Sequence, residues 1–252
     1  MSRSKTKAWT SWTAATLLAA GATIVAARTT GKAAAGQAAS AQLSGRIYFK
    51  GTKPKLARIQ MDQDPVCAAE HTEPVYAQDG AVNSDGTLPD VFVYVKSGLP
   101  QPNFPVPSQP AVLDQRGCIY VPHVLGVMVG QELKVISSDP TTHNVHVLPK
   151  DNREWNQSQI PGAAPIVKKF THPEIMIPVK CNQHPWMRAY IGVTSNPFFA
   201  VTGSDGMFII KGLPAGNYTL AAWTATFGTQ EQNVTVRAGQ PATADFTFGS
   251  AP

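Results

Sequence analysis

The sequence predicts an all-β protein built from β-sandwiches. Short runs rich in Val, Ile, Phe, Tyr and Thr alternate with turn residues, and the chain carries 20 Gly and 21 Pro. This spacing of strand and turn signals is typical of sandwiches. With 252 residues, the chain can form one large domain or two ordinary ones. Beyond the N-terminal region, no segment shows the periodicity of an amphipathic helix.

The N-terminal half of the body alternates strand and turn signals. Residues 43–61 predict a strand, a turn and a second strand, and residues 62–75 predict a loop or a short helical turn. The β-branched and aromatic run 91–96 predicts a further strand. The Pro-rich segment 100–110 predicts an extended surface connection, because proline cannot donate to a sheet ladder.

The central part predicts the strands that matter most for function. Residues 117–139 indicate a strand, a proline, a strand, a glycine turn and a strand, and residues 143–148 resume the alternation. A polar loop is predicted around residues 151–162. The run 174–180 predicts a strand that leads directly into Cys181, and residues 190–193 predict the next strand.

The first 41 residues have the pattern of a secretory leader. A basic opening, residues 2–7, precedes an Ala-rich apolar run, and Ala39-Ser40-Ala41 is a suitable cleavage motif. The alternative is an uncleaved membrane anchor, because residues 8–27 are about as long as the roughly 20 residues that a spanning helix needs. In either case the body is exported to the periplasm or another extracytoplasmic space.

The basic net charge of +5 comes from this leader. Five of the 21 basic residues lie within residues 1–41, which contain no acidic residue, so the body keeps 16 basic residues against 16 acidic ones. A formally neutral body gives no indication of a nucleic-acid partner. A membrane partner is expected only if the N-terminal segment stays uncleaved.

Soft metal ligands are concentrated in the segment from Lys180 to Arg188, the ligand loop. Cys181, His184 and Met187 supply a thiol, an imidazole and a thioether, and a proline follows the imidazole. The segment His143-Asn144-Val145-His146, at the end of a strand-like run, offers a second imidazole. Two His, one Cys and a distant Met form the ligand set of a blue copper electron-transfer site.

The run from about residue 120 to 193 resembles a cupredoxin, and its Cys-x2-His-x2-Met spacing is that of the amicyanins within that family. The resemblance implies a Greek-key β-sandwich with one type 1 copper. It also implies that His143, which follows Gly130 and the pair Ser138-Asp139, is the first ligand. The ligand set is then His143, Cys181, His184 and Met187. His146 is expected to lie outside it.

The same resemblance implies residues that support the ligands. Asn144 is expected to tie the first ligand strand to the Cys loop by hydrogen bonds. Pro185 and Trp186 are expected to form part of an apolar rim, where the imidazole edge gives electrons a short exit; the alternative for Trp186 is a core position. The remaining cysteines, Cys67 and Cys118, are expected to pair as a disulfide in an oxidising compartment. The alternative is a second Cys2His2 metal site that includes His71 and His123.

The C-terminal residues resemble a second module. The runs 202–210 and 212–220 resemble the carboxypeptidase regulatory-like, or transthyretin-like, β-sandwich, and the strand within residues 43–61 is a candidate to complete it. The predicted domains are therefore a leader or anchor at 1–41, a copper domain with an N-terminal extension at 42–197, and a regulatory-like sandwich at 198–252. If residues 43–61 do complete the sandwich, the copper domain is an insertion in it.

These features predict a one-electron carrier that exchanges electrons with a redox protein such as a c-type cytochrome or a membrane or periplasmic oxidoreductase. No enzymatic turnover is expected, because the sequence has no His-x-His pair for a trinuclear copper centre and only one cysteine on the ligand loop. The alternative is a module that binds or delivers copper, or is structural, without redox turnover.

Overall fold

The computed structural model describes residues 41–100 and 103–249, and within them it confirms the predicted all-β class. The elements are β1 (Ala41–Lys50), α1 (Pro65–Ala69), β2 (Phe92–Ser97), β3 (Ala111–Gln115), β4 (Tyr120–Val121), β5 (Val124–Met128), β6 (Glu132–Ser137), β7 (His143–Val147), β8 (Trp155–Gln159), β9 (Ile166–Lys169), β10 (Glu174–Lys180), β11 (Arg188–Thr194), β12 (Phe199–Val201), β13 (Met207–Leu213), β14 (Gly216–Thr224), β15 (Gly228–Val236), β16 (Ala242–Thr243) and β17 (Phe246–Gly249).

The predicted leader, apart from Ala41, lies outside the described residues. Ala41 itself is buried and opens β1, where it pairs with Leu213. Among the residues that the structure describes, no helix is long and apolar enough to cross a membrane.

The described strands form two sandwiches. Sandwich A consists of a sheet in which β1 lies between β13 and β16 and also pairs with β17, and a sheet of order β12-β2-β14-β15. Sandwich B consists of a five-stranded sheet, β5-β11-β10-β7-β8, and a sheet of order β4-β3-β6-β9. Because β2 precedes β3 and β12 follows β11, the strands of sandwich B lie in the chain between two neighbouring strands of sandwich A.

The sequence-based boundary at residue 197 differs from this grouping. It assigns β1 and β2 to the copper domain, whereas both strands pair within sandwich A. The reason is that β1 lies between β13 and β16 and β2 lies between β12 and β14, so residues 198–249 alone complete neither sheet. β1 contributes Leu43, Ile47 and Phe49 to the core of sandwich A.

A separate apolar core fills sandwich B. Inward-facing side chains of both its sheets are buried there, including Leu113, Val135, Val145, Ile177 and Ile191. The core extends to the ends of β7 and β10, where Cys181 and Met187 belong to the same buried cluster. The ligand loop is therefore anchored by the packing of sandwich B.

Two local predictions are wrong. The predicted polar loop at 151–162 contains β8, which pairs along its whole length with β7 in the register His143 to Gln159. β8 is an edge strand with mostly polar, exposed side chains, so its sequence resembles a loop. Its backbone hydrogen bonds to β7 stabilise it as a strand despite its weak strand propensity. The second strand predicted before Met61 is reduced to an isolated bridge between Arg58 and Tyr76.

The β1–β2 connection, residues 51–91, lies against sandwich B. It contains α1, whose N-cap Asp64 accepts hydrogen bonds from the backbone of Val66 and Cys67. Cys67 is joined to Cys118 of the β3–β4 turn by a disulfide, as predicted. Met61 packs beside this disulfide, so the connection has a small apolar core of its own at the ligand loop.

Candidate metal centre

Neighbouring strands of sandwich B bring the predicted ligands together. β10 pairs with both β7 and β11, with Lys180 opposite His146 and Arg188. His143 opens β7, and Cys181 follows the last residue of β10. The ligand loop is closed by backbone hydrogen bonds, since the amide of Cys181 donates to Met187 and the amide of Met187 donates to His184.

Three side chains converge on one buried point. Nδ1 of His143 lies 2.8 Å from Nδ1 of His184, and Sγ of Cys181 lies 3.7 Å from Nδ1 of His184. The donor atoms of all three residues lie within 4.8 Å of one another, and all three side chains are buried. Such a cluster of two imidazoles and one thiol offers soft and borderline donors, which suit copper or zinc rather than calcium or magnesium.

Each imidazole is oriented by a carboxylate. Nε2 of His143 lies 2.8 Å from Oδ2 of Asp139, and Nε2 of His184 lies 2.8 Å from Oδ2 of Asp64. A carboxylate can only accept, so in both residues Nε2 carries the proton and donates. Both Nδ1 atoms therefore face the centre and are available to a metal ion, the arrangement by which outer carboxylates fix metal-binding histidines.

Asp139 is itself held by the chain. Its carboxylate accepts hydrogen bonds from the backbone amides of Gly117 and Cys118, which occupy the β3–β4 turn with positive φ values of 65° and 53°. Two successive amides in left-handed conformation point the same way and form a small anion-binding concavity. The turn thus fixes the carboxylate that orients His143.

The electrostatics of the cluster favour a thiolate beside an imidazolium when no metal is bound. Burial alone raises the pKa of Cys181, but hydrogen bonds from His143 and from backbone amides, first that of Asn144, lower it to about 6. Burial alone lowers the pKa of His143, but hydrogen bonds to Asp139 and Cys181 raise it to about 9. A metal cation would replace the proton that the donors share.

Asn144 ties the two ligand segments by hydrogen bonds. Its backbone amide lies 3.5 Å from Sγ of Cys181, and its Oδ1 accepts from the amide of Asn182 at 2.8 Å. The Cys181 thiol also lies 3.3 Å from this oxygen. On its other side, Asn144 donates to Asn156 of β8. The strand and the loop are therefore held at a fixed separation.

Met187 is fully buried in the core of sandwich B, in the cluster that contains Cys181. Its place immediately before β11 puts it on the loop that carries the other two loop donors. Buried Tyr120 underlies the site and donates to the backbone oxygen of Asn144 at 2.6 Å. These contacts give the centre an apolar wall on its inner side.

The predicted open rim is covered. His184 is only 5% exposed, and the ring of Trp186 lies 5.1 Å from its ring, centroid to centroid. Trp186 donates to the backbone oxygen of Cys118 and packs with the apolar residues around the disulfide. Of the two predicted rim residues, Pro185 is exposed and Trp186 is half-buried. The β1–β2 connection occupies the space where an exposed imidazole edge was expected.

The two remaining predicted histidines lie away from the centre. His71 bonds the backbone oxygen of Gly117 at 2.7 Å, whereas His123 bonds Asp79 at 2.8 Å. Among the described residues, no group of side chains close enough to share a metal ion includes either histidine. With Cys67 and Cys118 in a disulfide, the alternative Cys2His2 site lacks its thiolates.

His146 points away from the cluster, towards Glu154, which immediately precedes β8, at 2.7 Å. Its separation of three positions from His143 places it on the opposite face of β7. Sequence reasoning missed the roles of Asp64 and Asp139. The i to i+4 spacing of Asp139 to His143 is the sequence signal that points to Asp139, whereas nothing in the sequence connects Asp64 to His184, 120 positions later.

The geometry defines an all-β protein with a buried His2Cys cluster, and comparison with known families adds one module. The model of the carboxypeptidase regulatory-like domain matches residues 184–249. This match confirms the resemblance predicted for the C-terminal part, and it spans β11 to β17 without β1 and β2. No curated protein matches the chain.

Solved structures that resemble part of the chain include a copper-containing nitrite reductase, an amicyanin and a purple cupredoxin. A Cu-containing nitrite reductase from Thermus scotoductus SA-01 is 18% identical over 40% of this chain and 26% of its own, with a TM-score of 0.33. An amicyanin mutant with Cu(I) is 22% identical over 40% of this chain and 98% of its own, with a TM-score of 0.30. A purple cupredoxin from Nitrosopumilus maritimus is 17% identical over 33% of this chain and 99% of its own, with a TM-score of 0.29. The chain spans about a quarter of the nitrite reductase that it matches.

Proposed function

We propose that this protein is an exported type 1 copper protein that carries single electrons between redox partners. The observation that carries the proposal is the convergence of Nδ1 of His143, Nδ1 of His184 and Sγ of Cys181 at one buried point. Two imidazoles and a thiolate with a weaker thioether form the donor set of blue copper sites. Met187, buried on the same loop, is the candidate for the thioether.

The protein's own contribution is a rigid, dry site. Asp139 and Asp64 hold the imidazoles, Asn144 holds the loop, and burial excludes water from the donors. Copper in this site would supply a couple between Cu(II) and Cu(I). Because the ligand positions are fixed by packing and hydrogen bonds, the site would change little between the two states, which favours rapid electron exchange.

A carrier is proposed rather than an enzyme. Each group of potential metal ligands in the described part of the chain contains His143 or His184, so all of them belong to one centre. Both imidazoles are buried and their outer nitrogen atoms are bonded to carboxylates. The outer edges of both imidazoles are therefore closed to a substrate, which supports a carrier.

The proposed location and partners follow from the sequence. A leader-like N-terminus and the disulfide between Cys67 and Cys118 both fit an oxidising, extracytoplasmic compartment. The proposed partner is a redox protein, such as a c-type cytochrome or a membrane or periplasmic oxidoreductase. Fractionation of cells that express the full chain would test the location, and recovery in the cytoplasm with reduced cysteines would contradict it.

Titration of the metal-free protein with Cu(II) tests the function. We expect one copper per chain and an intense visible absorption band from thiolate-to-copper charge transfer. The variant Cys181→Ala should lose the band, whereas His172→Ala, which changes an exposed histidine outside the cluster, should keep it. If the protein stays colourless and binds only Cu(I), a function in copper storage or delivery is favoured over electron transfer. If it binds no copper, a structural function is favoured.

A further inference from the structure

We infer that the β1–β2 connection is a built-in cover of the metal centre and that Asp64 is a positioning residue for His184. The inference rests on the proposed function for its copper measurements, but its structural part concerns the metal-free protein. It starts from the contacts of the outer nitrogen of His184, which faces away from the cluster.

Three groups enclose the outer edge of His184. Oδ2 of Asp64 lies 2.8 Å from Nε2, Sγ of Cys67 lies 3.8 Å from the same nitrogen, and the ring of Trp186 lies beside the imidazole. Two of these three residues, Asp64 and Cys67, belong to the β1–β2 connection. The edge is therefore closed by a segment that is remote in sequence.

The carboxylate of Asp64 is held in place by contacts within its own segment, independently of His184. Its Oδ1 accepts from the amides of Val66 and Cys67 at 2.9 and 3.3 Å, which leaves Oδ2 to His184. The next turn of the chain is bonded covalently to Cys118 through Cys67. Because the N-cap and the disulfide hold the carboxylate in place, the bond to His184 costs little further ordering, as in a preorganised outer shell.

The two ligand histidines are linked through the same disulfide. The amide of Cys67 bonds the carboxylate that orients His184, and the amide of Cys118 bonds the carboxylate that orients His143. The disulfide thus joins the supports of both imidazoles. The cover and the metal centre form one connected unit rather than two segments in chance contact.

A carboxylate on Nε2–H increases electron density on the imidazole. A more basic ligand stabilises Cu(II) more than Cu(I), so Asp64 should lower the reduction potential of the bound metal. The variant Asp64→Asn tests this effect, since asparagine keeps an oxygen for the N-cap but replaces the charged acceptor of Nε2–H by an amide group that only donates. The exposed Asp62, two positions earlier, offers the matched control Asp62→Asn.

The first measurement uses metal-free protein labelled with ¹⁵N. In the wild type, NMR should show His184 with its proton on Nε2, and this proton should exchange slowly with solvent. Asp64→Ala should speed the exchange by about tenfold or more, since the edge then opens locally, whereas Asp62→Asn should not. A wild-type His184 with a bare Nε2, or equal exchange in all three proteins, overturns the inference.

The second measurement compares the copper-loaded proteins. Asp64→Asn should reduce the ratio of Cu(II) to Cu(I) affinity by about tenfold, which corresponds to a rise of about 59 mV in a one-electron potential. Asp62→Asn should leave the potential unchanged. An unchanged potential in Asp64→Asn, in a protein whose wild type shows the charge-transfer band, overturns the positioning role while the proposed function stands. A wild type without the band refutes the proposed function instead, and the NMR result still decides whether the cover exists.

Discussion

Gly126 on β5 and Gly192 on β11 are register partners, and both lie under side chains that pack between the two sandwiches. A Cβ added at Gly126 would lie 2.3 Å from the ring of Phe199, and one added at Gly192 would lie 2.6 Å from the ring of Phe92. Both rings come from sandwich A. The aromatic residues therefore fit only because sandwich B offers bare backbone at this position.

A methyl group at either glycine should destabilise the protein. Overpacking of a tight contact typically costs 1–3 kcal/mol, so we expect Gly126→Ala to lower the free energy of unfolding by about 2 kcal/mol. Gly249→Ala, whose Cβ would meet its nearest atom at 3.6 Å, should change it by less than about 0.5 kcal/mol. Denaturant unfolding measures both. If Phe199→Leu does not relieve the cost of Gly126→Ala in the double variant, the proposed clash is wrong.

Removal of the disulfide should cost more. The bond joins residues 51 positions apart, and closing a loop of this length restricts the unfolded chain by about 4 kcal/mol. We expect the double variant Cys67→Ser, Cys118→Ser to lose about that amount in metal-free denaturant unfolding. Wild-type protein that is unfolded in the presence of a reductant serves as the control and should behave like the variant. A loss below about 1 kcal/mol would show that the cover is held mainly by its other contacts.

Asn144 should matter for stability even without metal. Its Oδ1 satisfies the amide of Asn182, and truncation would leave that donor without its partner. An unsatisfied, partly buried donor costs about 1–3 kcal/mol, so Asn144→Ala should lose about that amount in the metal-free protein. Asn233→Ala, which removes an exposed hydrogen bond to Thr219, is the matched control and should lose less than about 0.5 kcal/mol. Equal losses in both variants would contradict the role given to Asn144.

Asp90 should make the free energy of unfolding depend on pH. It has a positive φ of 56°, and burial raises its pKa above the ordinary value of 3.8, with a smaller opposing effect of His123. Because the folded-state pKa is the higher one, the contribution of Asp90 to stability is fully present below pH 3.8 and is lost as the pH rises through the folded-state value. Asp90→Asn removes this loss, and asparagine tolerates positive φ.

The free energy of unfolding of Asp90→Asn should therefore exceed that of the wild type at pH 7, and the difference should shrink towards pH 3.8. Chemical denaturation across this pH range provides the measurement. Asp62→Asn, at an exposed aspartate in the same β1–β2 connection, should show no such trend. A constant difference across the range would mean that only the backbone conformation matters.

The sequence contained what was needed for the loop donors but not for their surroundings. Cys181, His184 and Met187 lie within seven positions, so spacing alone brings them onto one loop. His143 is implied by the resemblance to cupredoxins rather than by spacing. Asp64, however, reaches His184 only because a long irregular connection folds back over sandwich B, and no local pattern encodes that path.

The missed strand β8 and the displaced boundary have a similar origin. β8 has polar, exposed side chains because it is an edge strand, and its order comes from backbone pairing with β7 rather than from a hydrophobic pattern. The roles of β1 and β2 depend on partners far along the chain. Local propensity locates strands but does not determine which sheet receives them.

The place of β1 in sandwich A has a consequence for biosynthesis. The amide of Arg46 donates to Asp245, 199 positions later, so β1 leaves the ribosome long before its partners. Contacts of such high sequence separation form slowly. Sandwich B, whose strands are continuous in the chain, is complete earlier, while β1 and β2 still present unpaired edges. The ligand loop should therefore be assembled together with sandwich B, before the strands of sandwich A that flank it in the chain are all paired.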